Sequence, residues 1–356
     1  MIRLATVFSG IGAIEQAFER SKRPYEIVFA CDIDEFVKKS YFSNYKISED
    51  RWYDDIKDID GNKYKGQVDL FVGGSPCQSF SMVGKRHGLE DFRGLLVYQF
   101  IRLVREIQPK CFIFENVKGL LSHDSGKTWE ILSKAFNDLG YDIKAKVLNA
   151  KDYGIPQNRE RLFVVGFNKK RKFEFPKPIK LEITMQDLLE DNVAEKYFLP
   201  EKGIKFVTDK KNLTKRFTQI DGDIALCQKR NQQFNWHGDF VTDNTKQKLE
   251  KYFLSENVKN YVLSTGTKNF YTKPEIDLPI ARPLLSTMAK MHRAGVDNYI
   301  SNGDRIRKLT PRECLRLMGF SDNFKIVVSD TQAYKQAGNS IVVDVLINIL
   351  NSIYGE

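Results

Sequence analysis

Cys77 stands in the run GGSPCQSFS, between a proline and a glutamine and just after the apolar stretch VDLFV. A buried structural cysteine needs neither the glycine pair Gly73-Gly74 nor the stiff Pro76 before it. A thiol that must leave a strand and face a ligand uses both, and a thiolate stabilised there is a nucleophile. Glu115 closes another apolar run, in FIFENV, where a carboxyl needs a partner or a task. Arg159 and Arg161 enter a third run in QNRERLFVVGF. Their period-two spacing points both guanidiniums to one face, where they suit a carboxylate, a phosphate or a base carbonyl. FSGIG, from Phe8 to Gly12, ends the first apolar run and opens a helical one. Gly10 and Gly12 let the backbone approach a ligand, and helix N–H groups favour polar or anionic groups. Asp32 lies 20 residues past Gly12, where an acid binds ribose hydroxyls. Ala13 ends the glycine run early, so the full GxGxxG is absent. Each motif alone also fits a plain structural reading: a turn cysteine, a capping carboxylate, a solvated strand entrance, a glycine turn without a ligand.

These residues need elements that bring them together. IRLATVF, YEIVFA, VDLFVGG, KCFIFEN and RLFVVGF have strand length and composition. IGAIEQAFER, EFVKKSYFSNY, LLVYQFIRLVREI and TWEILSKAFNDLG carry helical spacing between them. This alternation predicts an α/β, doubly wound and mainly parallel sheet. Ligands of such sheets bind beyond the C-terminal strand ends, and FSGIG, CDID, GGSPCQ and FENV all lie at such ends. After about Phe173 the alternation stops, and residues 180–300 become rich in Lys, Asn, Gln and Thr. The expected division is a catalytic domain over 1–178, completed by 330–356, and a smaller, mostly irregular or β domain over 179–329. KLTPRECLRLMGF predicts a helix with Thr310 as N-cap and Pro311 at N1. QAGNSIVVDVLINILNSIY predicts one amphipathic helix opened by Gly338-Asn339-Ser340.

The 356 residues carry a formal net charge of +10, which favours an acidic partner such as nucleic acid. Five cysteines, an odd number with wide spacings and no CxxC pair, argue against a disulfide framework and a zinc site. No metal ligand set is expected. The absence of a cleavable signal pattern and of an apolar run near 18 residues leads to the expectation of a soluble, intracellular protein with no membrane partner.

Six motifs in order resemble those of the DNA (cytosine-5-)-methyltransferases, over nearly the whole chain: FSGIG, GGSPCQSFS, FENV, QNRER, RKLTPRECLRLMGF and QAGNSIVV. The length is similar to that of bacterial restriction–modification methylases. The resemblance implies a Rossmann-like domain that takes S-adenosyl-L-methionine and releases S-adenosyl-L-homocysteine. It implies that Cys77 is the nucleophile toward C6 of cytosine, that Glu115 holds N3 and the exocyclic amine, that Arg161 binds O2 and that Arg159 positions the catalytic loop. For the cofactor it implies Phe8, Gly10 and Gly12 at the methionine end, Asp32 on the ribose, Ile33 beside the adenine, Asp55 and Ile56 on the adenine amine, and Pro76, Leu96 and Asn339 completing the pocket.

The target carbon is hidden inside double-stranded DNA, so the base must be flipped out. SFSMVGKRHGLEDFRG resembles the family's mobile catalytic loop, with Ser81, Lys85 and Arg86 as DNA contacts. CQKRNQQFNWHGDF offers Gln228, Arg230 and Gln232 to major-groove base edges. STMAKMHRAG holds what is similar to the family's Thr-Leu pair, with Thr287 on a phosphate and Arg293 nearby. A monomer and a functional pairing with a restriction endonuclease are the expected partnerships. Two other readings stay open: a tRNA cytosine-5 methyltransferase, whose usual Cys-Phe-Thr signature is absent, and a catalytically dead DNA-binding homologue, against which the intact motifs argue.

Overall fold

The computed structural model describes residues 1–75, 96–190, 193–214, 218–225, 238–242, 275–276, 278–284, 299–302 and 305–355. The chain divides into two compact units. The first comprises Met1–Leu148, Glu160–Lys177 and Val345–Glu356, and the second Asn149–Arg159 and Pro178–Asp344. Residues 149–159 and 330–344, expected with the first domain, therefore lie in the second unit.

Seven strands form the sheet of the first unit: β1 (Ile2–Val7), β2 (Tyr25–Cys31), β3 (Trp52–Tyr53), β4 (Leu70–Gly73), β5 (Cys111–Val117), β6 (Asp142–Asn149) and β7 (Glu160–Phe167). Their order is β3-β2-β1-β4-β5-β7-β6. β1 runs parallel to β2 and β4, β2 to β3, and β4 to β5, whereas β7 runs antiparallel to β5. Among the described residues α1 (Ala13–Arg20), α2 (Glu35–Asn44), α3 (Leu96–Ile107) and α4 (Lys127–Asn137) accompany them, together with most of the C-terminal helix described below.

Leu4, Ala5, Thr6 and Val7 are all buried, as a central strand covered on both faces requires. Successive side chains point to opposite faces. Ala5 and Val7 join the core built by Phe71, Phe100, Phe112, Phe114 and Phe136. Thr6 faces the other way and meets Glu15 of α1. Helices thus cover both faces, which is the doubly wound arrangement.

Val97, Phe100, Ile101, Val104 and Ile107 repeat at helical spacing on α3 and are all buried. Phe100 stacks on Phe71 at 4.8 Å between centroids and meets Phe114 at 5.1 Å. Truncating such a ring costs about 3–5 kcal/mol. At the opposite edge of the sheet from the strand ends discussed below, burial would raise Asp69. Arg3 at 3.1 Å and Lys110 at 2.8 Å nevertheless hold its carboxyl well below the usual carboxylate range.

The second unit holds β8 (Phe198–Leu199), β9 (Thr218–Ile220), β10 (Gly238–Thr242), β11 (Glu275–Ile276), β12 (Tyr299–Asn302) and β13 (Arg305–Lys308). They order as β11-β9-β10-β13-β12, with β8 on β13. Its helices are α5 (Glu201–Val207), α6 (Lys210–Thr214), α7 (Pro311–Arg316) and α8 (Asp330–Asn339). Thr310 caps α7 with Pro311 at N1, and Glu313 completes a capping box.

The C-terminal helix expected to be opened by Gly338-Asn339-Ser340 is observed, and a separate helix stands before it. α8 ends at Asn339, Ser340 is extended, and α9 (Val343–Tyr354) starts afresh. The Arg159 guanidinium takes the carbonyls of Gly338 and Ser340, and Val343 N–H donates to the Met318 carbonyl. Those groups are then lost to the helical ladder. Asp330–Tyr354 counted as one helix has the length and hydropathy of a membrane span. The break leaves pieces of 10 and 12 residues, short of the about 20 a span needs.

Candidate active site

Val7 pairs with Cys31 and with Gly73, Cys31 pairs with Tyr53, and Gly73 pairs with Phe114. The strand ends are level, so Phe8–Gly12, Asp32–Ile33, Asp54–Ile56 and Gly74–Ser75 leave the sheet along one edge, where Glu115 of β5 stands one residue beyond the last pair with β4. The expected grouping of these residues at the C-terminal strand ends is observed.

Arg161 reaches the same edge for a different reason. It lies near the start of β7, and in a parallel strand it would emerge at the far edge. β7 is antiparallel, and Arg161 is the cross-strand partner of Val117. Its Nε lies 3.1 Å from Glu115 Oε1, with the two side chains 17% and 13% exposed. Arg161 Nη1 also donates to the Glu160 carbonyl at 2.8 Å, which fixes the plane of the guanidinium.

Gly73 and Gly74 are required by close approach. A Cβ on Gly73 would stand 2.8 Å from Val7 Cγ2 and 2.9 Å from Phe100 Cδ2. A Cβ on Gly74 would stand 2.9 Å from Glu115 Oε2 and 3.3 Å from the Glu115 carbonyl oxygen. The glycine pair thus makes room for the core ring and for the carboxyl, beyond the sharp exit read from the sequence. Asn116, buried behind Glu115, donates its side-chain amide to the Ser75 carbonyl at 3.1 Å. That contact pins the segment two residues before Cys77.

Arg159 lies just outside the strand that holds Arg161, so the period-two reading does not extend to it. It precedes β7, belongs to the second unit, and donates to the carbonyls of Gly338 at 3.0 Å and Ser340 at 2.8 Å. Gln157 makes isolated bridges to Ala225 and Ala281, and Asn158 and Arg159 are irregular, so strand alternation does not apply to them. Cys77, Pro76, Ser81, Lys85, Arg86, Gln228, Arg230, Gln232, Thr287 and Arg293 lie outside the described residues. Asn339 is exposed at the end of α8 in the second unit.

The candidate cofactor half is built from left-handed backbone. Phe8, Gly10 and Gly12 have φ of 53°, 53° and 78°. A bulky residue at positive φ is strained and marks a turn held for a purpose. The two glycines differ in their work. Among the described residues a Cβ on Gly10 would meet only the Phe8 carbonyl oxygen, at 4.0 Å. A Cβ on Gly12 would strike the Tyr45 ring at 2.2 Å, and Tyr45 donates its hydroxyl to the Gly12 carbonyl at 2.8 Å. Gly12 therefore serves packing, and no described residue crowds Gly10.

Asp32 accepts the Gly10 N–H at 2.9 Å and the Asp34 N–H at 3.0 Å, which orients its carboxylate at the edge. Ile33 beside it is 81% exposed, an apolar side chain without cover next to a hydrogen-bonding acid. That pairing fits a nucleoside, with apolar contact for the base and acceptors for ribose hydroxyls. Asp55 caps a short 3₁₀ turn by accepting Lys57 N–H at 2.9 Å, and Ile56 behind it is buried. Leu96 and Phe8 are half-buried against the core below the edge. Among the described residues no group of three or more His, Cys, Asp or Glu is placed to hold a metal ion.

Several residues of the edge were not singled out from the sequence. Glu15, in the first turn of α1, is fully buried, and Tyr41 donates to its Oε1 at 2.6 Å. Burial pushes its carboxyl up to about 7, against the pull of Tyr41 and Thr6. The available signal is a lone carboxyl inside AIEQAF, in which every residue is buried. Tyr45 gave no signal, because a tyrosine at a helix end is common, and Asn116 stood in FENV without a role of its own being read for it.

A family model for C-5 cytosine-specific DNA methylases matches residues 2–355. The chain is 33% identical to the type II methyltransferase M.HhaI of Haemophilus parahaemolyticus, over 99% of this chain and 94% of that protein. It is 31% identical to the orphan methyltransferase M.SPRI of Bacillus phage SPR, over 99% of this chain and 97% of that protein. Among solved structures it is similar to the Dnmt2 methyltransferase of S. pombe, with a TM-score of 0.65 at 16% identity over 99% and 97% of the two chains. It is similar also to a putative DNA modification methyltransferase encoded in an E. coli prophage, with a TM-score of 0.62 at 20% identity over 99% of each chain.

Proposed function

The chain belongs to the C-5 cytosine-specific DNA methylase family, and from that premise we propose how it works: it moves a methyl group from S-adenosyl-L-methionine to C5 of a cytosine within a specific double-stranded DNA sequence, after flipping the base out. The observation that carries this reading is the contact of Arg161 with Glu115 at the strand edge, beside the segment that leads to Cys77. N3 and O2 are neighbours on one edge of cytosine, and two side chains already in contact suit neighbouring atoms. Glu115 takes N3 and the exocyclic amine, and Arg161 takes O2, where negative charge develops.

Cytosine C5 is a weak nucleophile. Addition of the Cys77 thiolate to C6 makes the ring enamine-like and C5 nucleophilic. Glu115 delivers a proton toward N3 as the thiolate adds. S-adenosyl-L-methionine supplies the methyl group as an electrophile. Loss of the C5 proton to water then re-forms the double bond and expels the Cys77 thiolate, and the N3 proton returns to the Glu115 carboxylate. Asp32 holds the ribose, Ile33 lies against the adenine, and the turn at Gly10 receives the methionine end. Arg159 positions the catalytic loop, and its guanidinium takes the carbonyls of Gly338 and Ser340.

Residues 179–329 read the DNA sequence in this scheme, with contacts from the stretches around Gln228–Gln232 and Thr287–Arg293. The enzyme works as a monomer in the bacterial cytoplasm, as the modification partner of a restriction endonuclease. Orphan enzymes among its relatives make that pairing a separate question.

The test uses DNA carrying 5-fluorocytosine together with the cofactor. Fluorine cannot leave as a proton does, so the wild type is expected to stay covalently joined to the DNA on a denaturing gel, and Cys77→Ala is not. Absence of an adduct with active wild-type enzyme would overturn the covalent mechanism. Bisulfite sequencing of DNA from expressing cells gives the recognition sequence and the methylated position.

A further inference from the structure

A line of hydrogen-bonding groups runs beneath the Phe8–Gly12 turn. Tyr41 of α2 donates to Glu15 Oε1 at 2.6 Å. Thr6 Oγ1 of β1 lies 3.4 Å from the same oxygen and 2.7 Å from Ser9 Oγ. Ser9 Oγ contacts the Cys31 carbonyl at 3.1 Å and accepts Cys31 N–H at 3.0 Å. Cys31 is followed by Asp32, which holds Gly10 N–H at 2.9 Å. The line therefore joins the two segments assigned to the cofactor, the glycine turn and the end of β2. Glu15 Oε2 is buried with no hydrogen-bond partner.

We propose that Glu15 is a positioning residue for the cofactor, acting through Thr6 and Ser9 on the distance between Gly10 and Asp32, and that its protonation state sets how firmly that distance is held. This rests on the adenosyl-ligand reading of the same edge.

The reason lies in the count of hydrogens. Each hydroxyl has one hydrogen to donate. If the carboxyl is neutral, its Oε1–H donates to Thr6, Thr6 donates to Ser9, and Ser9 donates to the Cys31 carbonyl. Every link is made. If the carboxyl is ionised, Thr6 must donate to it. Ser9 then has one hydrogen for two acceptors, Thr6 and the Cys31 carbonyl, and one link fails. The failed link is at the turn itself.

Burial favours the neutral form and puts the change near neutrality, with the carboxyl raised to about 7. The titratable groups facing Glu15 are Tyr41 and Tyr45 of α2, Tyr25 of β2 and Glu19 of its own helix. Burial raises all three tyrosines, which stay neutral in this range. Burial also raises Glu19, so it needs a control.

The experiment is calorimetric binding of S-adenosylhomocysteine to the whole protein at pH 6 and pH 8. One net hydrogen bond corresponds to about a 3- to 10-fold change in affinity. Wild type is expected to bind more weakly at pH 8 by about that factor. Glu15→Gln cannot titrate and is expected to show the same affinity at both pH values. Thr6→Val, which cuts the line, is expected to lose the slope as well, and Glu19→Gln to keep it. Glu15→Ala is expected to bind more weakly at pH 6, with Glu15→Gln restoring most of the loss. If Glu15→Ala does not fold, Glu15→Gln and Thr6→Val carry the test alone. A slope that survives in Glu15→Gln overturns this proposal and leaves the cofactor reading standing. A wild type that binds no S-adenosylhomocysteine overturns both.

Discussion

Asn116 holds Ser75 from across the sheet edge. Its Nδ2 lies 3.1 Å from the Ser75 carbonyl and 3.3 Å from Ser75 Oγ, while its Oδ1 accepts Val117 N–H at 2.9 Å. The amide is used from both ends, so its orientation is fixed by its partners. β5 thereby sets where the chain stands as it leaves β4 toward Cys77, and the residue behind the proposed acid also aims the nucleophile.

Asn116→Asp tests that link. The substitution keeps the Val117 contact but sets an acceptor against the Ser75 carbonyl in a buried place, at a cost of about 1–3 kcal/mol. The segment before Cys77 is expected to shift. Covalent capture on 5-fluorocytosine DNA should slow about 10-fold or more, in line with that cost. Cofactor affinity should change less, because Phe8, Gly10, Asp32 and Ile33 lie on other strands and only Pro76 of the proposed pocket adjoins Ser75. Rapid-quench measurement of adduct formation gives the first quantity and calorimetry the second. Equal losses in both would refute the link.

Gly74→Ala acts on the acid from the other side. The new Cβ would stand 2.9 Å from Glu115 Oε2, which can swing, and 3.3 Å from the Glu115 carbonyl oxygen, which cannot easily retreat from a paired strand. The carboxyl is expected to leave its place by Arg161. A misplacement near 1 Å costs about 10²-fold in rate. Single-turnover methylation should fall by that order with the melting temperature little changed. A variant at wild-type rate would show that Glu115 is not held where it reacts.

Much of this edge was legible in the sequence. Apolar runs ending in Gly10, Asp32, Gly74 and Glu115 could only come together at the C-terminal ends of a doubly wound sheet, and they do. The direction of β7 was not legible, because the buried run LFVVGF reads the same either way. Yet that direction decides whether Arg161 meets Glu115. The fate of Arg159 was hidden for a related reason: alternation holds only inside a strand, and β7 begins at Glu160. The opening of the last helix after Gly338-Asn339-Ser340 was legible, whereas the Arg159 guanidinium that takes the Gly338 carbonyl there was not, because it lies 179 residues away in sequence. Glu15 was visible as a carboxyl on an apolar helix face, but its partner Tyr41 is set by tertiary packing alone.

Glu15 also makes stability depend on pH. Its ordinary value is 4.5, and burial in the folded protein raises it to about 7. Between those values the folded state keeps a proton that the unfolded chain has lost. The contribution is therefore fully present below about 4.5, falls as the pH rises, and levels off above about 7. At about 1.4 kcal/mol per unit the whole span is on the order of 3 kcal/mol. Urea unfolding at pH 5, 6, 7 and 8 should show wild type losing stability relative to Glu15→Gln over that window. Parallel curves for the two proteins would place the ionisation elsewhere.

Glu115→Gln separates the two tasks assigned to that carboxyl. Glutamine keeps the shape, one acceptor and a contact with Arg161, but it has no acidic proton to deliver to N3. If delivery of that proton limits the attack of Cys77, the chemical step suffers and binding does not. A general acid contributes about 10²–10⁴-fold, so a fall of that order is expected in the single-turnover rate at saturating DNA. DNA affinity should hold or rise, since the amide removes a carboxylate near phosphates. If Glu115 only anchors the flipped base, the pattern reverses: affinity falls, and the rate at saturation stays near that of the wild type. Arg161 gives the internal control. Arg161→Lys keeps the charge and loses the planar fork that reaches O2 and Glu115 together. It should slow the step with Glu115 intact, and in the double variant the two losses should be less than additive, because the side chains touch at 3.1 Å. Strict additivity would mean that the acid and the arginine act on the base independently, and the side-by-side arrangement would then have no part in the rate.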